Sequence, residues 1–163
     1  MAAPIWCVDT SSLIVIRTQF SQQERGTLLA GLAALVAQGR LRFPREVIVE
    51  LERYQGPDHP VLQWAHANET TATAAQPSVA DVKTVQEQVP EVLDPDKEGV
   101  EEADPYVLAM GYRLVADGVD GRIVTEEFKT TVAKMPLGSA AGYLRIPSVS
   151  LRTMLKFEGI LEY

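Results

Sequence analysis

A short apolar segment that ends in an aspartate constrains the fold of this chain more than any other feature. Ile5-Trp6-Cys7-Val8 is typical of a buried β-strand, and it runs directly into Asp9-Thr10-Ser11-Ser12. A carboxylate that follows a strand lies at the sheet edge where open α/β folds bind their ligands. Further acidic residues recur at the ends of strand-like or the starts of helix-like segments: Glu50, Asp104 and the pair Glu126-Glu127.

These acidic positions predict a cation site if the fold brings them together. Several carboxylates in one place repel one another strongly unless a cation joins them. Oxygen ligands of this kind suit Mg²⁺ or Mn²⁺. The pattern therefore favours metal-assisted phosphodiester chemistry.

The order of the predicted elements indicates the fold class. Strands are predicted at 5–8, 41–43, 122–125 and 143–146, and helices at about 22–38, 44–54, 61–72, 79–89, 104–118 and 149–157. Strands that alternate with helices imply parallel pairing with right-handed crossovers. A chain of 163 residues supports one sizeable core. We therefore expect a single α/β domain over residues 1–163, a Rossmann-like three-layer α/β/α sandwich with a short parallel central sheet.

The start of the helix predicted at 22–38 carries the clearest local signal. Ser21-Gln22-Gln23-Glu24 has the form of a capping box, with serine before the helix and glutamate three residues later. Leu28, Leu32, Leu35 and Val36 follow at helical spacing. We expect these four side chains to be buried.

Composition limits the possible site chemistry and location. Cys7 is the sole cysteine, so neither an internal disulfide nor a thiolate metal cluster is expected. The first residues lack the pattern of a signal peptide. The longest apolar run, 28–37, is interrupted by Gly31 and is too short for a membrane span. We expect a cytoplasmic protein with no membrane partner.

The net charge of −7 is concentrated in one segment. Residues 87–104 hold eight acidic groups against Lys97, and the rest of the chain balances at 14 acidic and 14 basic residues. Overall charge therefore gives no argument for binding a polyanion. It does not exclude such binding either, because divalent cations would offset a carboxylate cluster locally.

Each acidic position also has a structural interpretation. Asp9 and Asp104 are both placed to cap a helix, and Asp104 stands before a proline, a favourable start for a helix. Glu50 fits a solvated helix face. Glu126 and Glu127 could stabilise a helix N-terminus, and because adjacent side chains point differently, only one is expected to face the cluster.

Other residues that often carry chemistry are assigned to structure. His59 and His66 lie in and just after a proline-rich loop without matching ligands nearby, so we interpret them as surface residues. Trp6 and Trp64 are expected in or beside the core. Cys7 is expected to be a small buried hydrophobic residue.

Taken in order, these motifs resemble the PIN-domain nucleases, especially the VapC-like toxins of toxin–antitoxin pairs. The matching segments are Val8-Asp9-Thr10-Ser11, the helix with Glu50 that follows Pro44, Ala103-Asp104-Pro105, and Val124-Thr125-Glu126-Glu127. The resemblance covers nearly the whole chain. Many members of that family carry aspartate where this chain has Glu127.

The resemblance implies a PIN-like domain that acts as a Mg²⁺- or Mn²⁺-dependent endoribonuclease. Asp9 and Asp104 would be the main metal ligands, and Glu50 and Glu127 would complete the pocket directly or through water. Ser11, Thr125 and Lys129 would position the phosphate or a ligated water. The implied partners are an RNA substrate, an antitoxin protein and a second copy of the chain, with the apolar helix at 22–38 available for a homodimer.

Two other classes compete with a nuclease. The main one is a PIN fold without catalysis that binds RNA or a protein partner, although all four acidic positions are present. A haloacid-dehalogenase-like phosphatase requires a second aspartate two residues after the first, where this chain has Ser11. A phosphotransfer receiver uses an acidic pair before its aspartate-bearing strand, and the sequence shows none there.

Overall fold

A four-stranded parallel sheet lies at the centre of the protein. The structure, a computed structural model, describes residues 2–92, 102–128 and 135–161. Within them the strands are β1 (Ile5–Val8), β2 (Leu41–Arg42), β3 (Gly121–Val124) and β4 (Ser148–Val149). Their order across the sheet is β2-β1-β3-β4, and each neighbouring pair is parallel. The predicted short parallel sheet is therefore confirmed.

Helices cover the sheet and complete a three-layer α/β/α sandwich, as predicted. Those in the described residues are α1 (Thr10–Gln19), α2 (Gln22–Ala37), α3 (Arg45–Tyr54), α4 (Pro60–Ala72), α5 (Val79–Gln88), α6 (Asp104–Ala116), α7 (Leu137–Tyr143) and α8 (Leu151–Phe157). A 3-10 turn at Pro90–Val92 follows α5. The capping box at Ser21 is present, and the four predicted apolar residues of α2 are buried.

Close packing of α6 on β3 sets the position of the helix start. Gly111 faces the sheet, and a Cβ atom built there would lie 3.1 Å from the side chain of Ile123. Val107 and Leu114 are buried on the same face. Because α6 connects to the beginning of β3 through a short turn, its N-terminus lies near the edge where β1 and β3 end.

The central strand β1 lies in the core. Trp6, Cys7 and Val8 are each at most 1% exposed. The Trp6 indole donates a hydrogen bond of 2.8 Å to Glu158 Oε1, and Arg40 pairs with the same carboxylate. Trp64 is also buried. The structural assignments of Trp6, Trp64 and Cys7 are therefore confirmed.

The strand predicted at 143–146 is wrong. Its alternating Tyr-Leu-Arg-Ile pattern resembles a strand, but Tyr143 ends α7, a helix that buries small side chains such as Ala140 and Ala141. A hydrogen bond of 2.8 Å from Ile146 N to Ala141 O terminates the helix, and Arg145 lies in the left-handed region at φ 61°. The fourth strand, β4, comes only after Pro147.

The surface assignment of His59 is also wrong, since its side chain is buried. Its Nδ1 atom accepts a hydrogen bond from Val61 N and caps α4, which draws the ring inward. His66 is 44% exposed and lies 3.2 Å from Glu52, as expected for a surface residue. Among the described residues, no helix has both the length and the apolar character needed to cross a membrane.

Candidate metal centre

The register of β1 and β3 brings Asp9 and Thr125 together. Val8 is paired with Val124 at the ends of the two strands, so the residues that follow them are neighbours. Asp9 N donates to Val124 O at 2.9 Å, and Thr125 Oγ1 donates to Asp9 Oδ2 at 3.0 Å. The strand-end aspartate is therefore fixed to the adjacent strand through both its backbone and its side chain.

Two further hydrogen bonds orient the Asp9 carboxylate. Thr10 N donates to Asp9 Oδ1 at 2.7 Å, and Ser11 Oγ donates to Asp9 Oδ2 at 2.8 Å. The first of these bonds makes Asp9 the N-cap of α1. Asp9 is only 2% exposed. Capping and a place in the acidic pocket are thus combined in one side chain.

Three carboxylates converge at this edge of the sheet. One oxygen from each of Asp9, Asp104 and Glu127 can be chosen so that all three lie within 4.8 Å of one another. Asp9 and Asp104 are buried, and Glu127 is partly buried. The set consists only of carboxylate oxygens, the donors that hard divalent cations such as Mg²⁺ and Mn²⁺ prefer.

The electrostatics of Asp9 support a cation site. Burial raises the pKa of Asp9 well above its usual range, and the nearby charges of Asp104 and Glu127 raise it further. The hydrogen bond from Ser11 opposes this rise. A divalent cation would relieve both the burial cost and the repulsion by favouring the ionised carboxylates. The residues present therefore fit a Mg²⁺ or Mn²⁺ ion.

Glu50 lines the same pocket but lies outside the group of three. Its Oε1 accepts a 2.5 Å hydrogen bond from Thr10 Oγ1, and its Oε2 accepts one of 3.3 Å from Ala103 N. These contacts connect α3 to the starts of α1 and α6. Glu50 is thus placed to fix the spacing of Asp9 and Asp104.

Asp104 does not have the predicted N-cap position. The helix begins at Asp104 itself, and the N-cap is Ala103, whose backbone is helical at φ −74° and ψ −26°. The alanine side chain has no acceptor atom, so no side-chain cap forms at this end of α6. The Asp104 carboxylate lies in the pocket instead.

The structure separates the roles of Glu126 and Glu127. Glu126 Oε1 accepts a 3.1 Å hydrogen bond from Leu151 N at the start of α8. Glu127 is the member of the pair whose carboxylate joins Asp9 and Asp104. As the sequence predicts, only one of the two side chains faces the cluster.

The two hydroxyls predicted to position a phosphate or a ligated water, those of Ser11 and Thr125, both contact Asp9. Ser11 Oγ accepts from Glu126 N at 3.0 Å, and Thr125 Oγ1 accepts from Glu127 N at 3.1 Å. Each hydroxyl directs its one hydrogen to Asp9 Oδ2. Lys129, the third predicted positioning residue, lies outside the described residues.

Comparison with known families covers nearly the whole chain. A family model described as a domain of unknown function, DUF4411, matches residues 6–161. The chain belongs to the DUF4411 family. Neither the curated proteins nor the solved structures that were compared give a match. For this DUF4411 chain, the resemblance to PIN-domain nucleases stays a prediction.

Sequence reasoning missed three residues that line the pocket of the DUF4411 chain. The pocket is small and open, about 150 Å³, and its lining includes Glu102, Tyr54 and Ile14. Glu102 is 6% exposed and stands two residues before Asp104, within the acidic segment already recognised. Tyr54 is 54% exposed and follows Glu50 by one helical turn. These short spacings from predicted site residues are the signals that could have identified Glu102 and Tyr54.

Proposed function

We propose that this chain is a divalent-metal-dependent endoribonuclease that hydrolyses RNA phosphodiester bonds. The observation that carries the proposal is the convergence of Asp9, Asp104 and Glu127, whose ligand oxygens fit within 4.8 Å. Asp9 and Glu127 come after strands that end at one edge of the parallel sheet, and Asp104 begins a helix at the same edge. Open α/β folds bind their ligands at this edge. The resemblance of the motifs to those of PIN-domain nucleases supports the choice of RNA as the substrate.

Asp9, Asp104 and Glu127 would hold the Mg²⁺ or Mn²⁺ ion. When bound, such an ion lowers the pKa of water and offsets negative charge at the attacked phosphate. Asp9 is held by three hydrogen bonds from Thr10, Ser11 and Thr125, so its carboxylate needs little rearrangement on binding. This arrangement supports a preorganised site.

Glu50 and Glu127 have different roles in this proposal. Glu50 accepts from Thr10 and Ala103 and thereby keeps the starts of α1 and α6 at a fixed separation. Glu127 is partly exposed, and it lines a pocket that is open to solvent. A phosphate group of a long polymer can therefore approach from solvent, whereas the pocket of about 150 Å³ is small for an organic cofactor.

The cellular role we propose is that of a toxin in a toxin–antitoxin pair, acting in the cytoplasm. The pocket gathers five acidic side chains: Asp9, Glu50, Glu102, Asp104 and Glu127. A basic side chain of an antitoxin would be attracted to these charges and would compete with the metal. A homodimer through α2 belongs to the same proposal.

The test is RNA cleavage by purified protein with Mn²⁺, Mg²⁺ or EDTA, on a panel of single-stranded and structured RNAs. Cleavage is expected only with a divalent ion. Asp9→Asn and Glu127→Gln are expected to reduce the rate roughly 100-fold or more, because each removes a ligand charge. Glu126→Gln is the matched control, since the Glu126 carboxylate accepts a hydrogen bond from Leu151 N at the start of α8.

Two results would contradict the proposal. Equal cleavage by the wild type and all three variants would identify a contaminating nuclease. A folded wild-type protein that neither cleaves RNA nor binds Mn²⁺ would instead support a PIN-fold module that binds RNA or protein without catalysis.

A further inference from the structure

A second, cationic cavity lies at the other end of α1. Its volume is about 370 Å³, and its lining includes Arg17, Arg25, Asp58, His59 and the adjoining turn at 56–57. Two arginines face one aspartate here, so the lining is positive in a protein whose net charge is −7. The cavity shares no lining residue with the acidic pocket.

His59 lines this cavity and carries a buried donor atom that has no partner in the described part of the chain. The side chain is 94% buried, since its exposed fraction is 6%. Because Nδ1 accepts from Val61 N at 3.1 Å, the neutral ring carries its hydrogen on Nε2. That buried Nε2 has no hydrogen-bond partner among the described residues. An unpaired buried donor is costly, and a bound acceptor would remove this cost.

The two arginines are also available to a ligand. In the part of the chain that the structure describes, no hydrogen bond or ion pair occupies the Arg17 guanidinium. Arg25 uses only its Nε atom, in a long 3.4 Å contact with Ser21 O. Both guanidiniums lie close enough to His59 to lower its pKa, although burial is the larger cause. The ring therefore stays neutral beside two positive charges.

We propose that this cavity binds a phosphate group. A phosphate offers several acceptor oxygens and negative charge, which match two guanidinium forks and one N–H donor. The N-terminus of α4, a helix of 13 residues that starts at Pro60, adds a favourable dipole. Asp58 opposes the anion, and its exposed position lets it turn toward solvent.

The cavity lies along a path that begins at the acidic pocket. Thr10 lines the acidic pocket and Arg17 lines the cavity, seven residues later on α1, or roughly 10 Å along the helix axis. A second connection runs through the end of α3: Tyr54, its last residue, lines the acidic pocket, and Gly56, two residues later, lines the cavity. We assign the phosphate to the backbone of an RNA strand that continues from the acidic pocket, an assignment that rests on the proposed function.

The test uses metal-free protein in EDTA, so that it is independent of catalysis. Inorganic phosphate is titrated at constant ionic strength while the amide signals of Gly56 and His59 are followed by NMR. A short RNA oligonucleotide is titrated in parallel. Arg17→Gln and Arg25→Gln are expected to weaken phosphate binding about 10-fold each, in line with the loss of a charge-assisted contact. Arg45→Gln, an exposed arginine outside both cavities, is the control.

Two more variants make the assignment specific. His59→Asn keeps a side-chain acceptor that can cap α4 but removes the Nε2 donor, so phosphate binding should weaken while the fold is retained. Asp58→Asn should tighten binding because it removes the opposing charge. For RNA, each arginine variant should also make the affinity less sensitive to salt, by the amount expected for the loss of about one phosphate contact.

The outcomes separate the possible sources of the phosphate. Loss of both phosphate and RNA affinity in the arginine variants would support the assignment to an RNA strand. Loss of phosphate affinity alone would overturn that assignment and leave a site for free phosphate. Unsaturable shifts, or equal affinities in the wild type and all variants, would overturn the site itself. None of these outcomes depends on whether the protein cleaves RNA.

Discussion

Ser11 and Thr125 lie 114 positions apart in the chain, yet their hydroxyl oxygens are 3.3 Å apart and both donate to Asp9 Oδ2. Each hydroxyl also accepts a backbone N–H from the residues after β3. The end of β3 therefore fixes both donors, and the donors fix Asp9. The orientation of the central carboxylate depends on the pairing of β1 with β3.

Removal of the Ser11 hydroxyl should weaken metal binding and shift the pH profile. The Ser11 hydrogen bond lowers the pKa of Asp9, so Ser11→Ala should raise that pKa further. Asp9 must be ionised to bind a cation, and activity is therefore lost as the pH falls through its pKa. We expect the acidic limb of the rate profile to move to higher pH, with a rate loss of roughly 10- to 100-fold at neutral pH, since such a bond contributes ~1.5–3 kcal/mol.

Ser12→Ala is the control for this prediction. Ser12 is buried, and its Oγ has no hydrogen-bond partner among the described residues, so loss of its hydroxyl should leave the pH profile unchanged. If the two variants give the same profile in Mn²⁺-dependent RNA cleavage, Ser11 does not act through Asp9.

Divalent metal should stabilise the folded protein, and Asp9 should mediate the effect. A ligand at 100 times its Kd stabilises the native state by about 2.7 kcal/mol, which corresponds to a rise in Tm of roughly 5–10 °C for a chain of this size. In Asp9→Asn most of this rise should disappear. Without metal, the variant should have nearly the stability of the wild type, because it loses the repulsion from Asp104 and Glu127 but also loses one of the two acceptor oxygens of Asp9.

Thermal unfolding in EDTA and in Mn²⁺ measures both effects. Glu126→Gln should keep the full Mn²⁺ response, because that carboxylate is directed to Leu151 N. An equal Mn²⁺ response in the wild type and Asp9→Asn would place the bound ion elsewhere in the protein.

The sequence was sufficient to predict the fold class and the three positions whose carboxylates converge, Asp9, Asp104 and Glu127. Asp9 and Thr125 directly follow buried apolar strands, so parallel pairing alone brings them to one edge. Asp104 begins a helix whose inward face is evident from its spacing. These predictions depend on periodicity and topology, and both are properties of short local segments.

The sequence was not sufficient to predict individual hydrogen bonds. Whether Glu50 binds a metal or accepts from Thr10 and Ala103 depends on distances of a few ångströms between three elements. The inward position of His59 depends on a cap that Nδ1 makes, which composition does not reveal. At Tyr143 tertiary packing overrides a strand-like pattern, because α7 buries small residues that a strand would leave poorly packed.

The ion pair between Asp81 and Arg113 should make stability depend on pH. Arg113 Nε and Nη2 donate to the two Asp81 oxygens at 2.9 and 2.8 Å, which links α5 to α6. These hydrogen bonds lower the pKa of Asp81 despite its burial. The stabilisation is therefore present above the unfolded pKa of about 4 and is lost as the pH falls through the lower folded pKa.

Asp81→Asn should lower the free energy of unfolding by about 1 kcal/mol at pH 7, a figure reduced because Arg113 is half-exposed. The corresponding Tm change is roughly 2–4 °C. The difference from the wild type should shrink as the pH falls below about 4. Asp117→Asn, which removes an exposed partner of the same arginine, should change Tm little. A difference that persists unchanged to the lowest pH would exclude the ion pair as its source.

Cys7 should be inert in the native protein and reactive only after unfolding. The side chain is fully buried in β1, and burial raises the pKa of its thiol to about 12, with a small opposing effect from Arg42. The thiolate is the reacting species, and at pH 8 a thiol with this pKa is ionised roughly once in ten thousand molecules. A chromogenic disulfide reagent should therefore react at the rate of unfolding, and within the mixing time in denaturant. Fast labelling of the native protein would show that β1 opens locally, and the Asp9 site at its end would then lack the rigidity that the proposed chemistry requires.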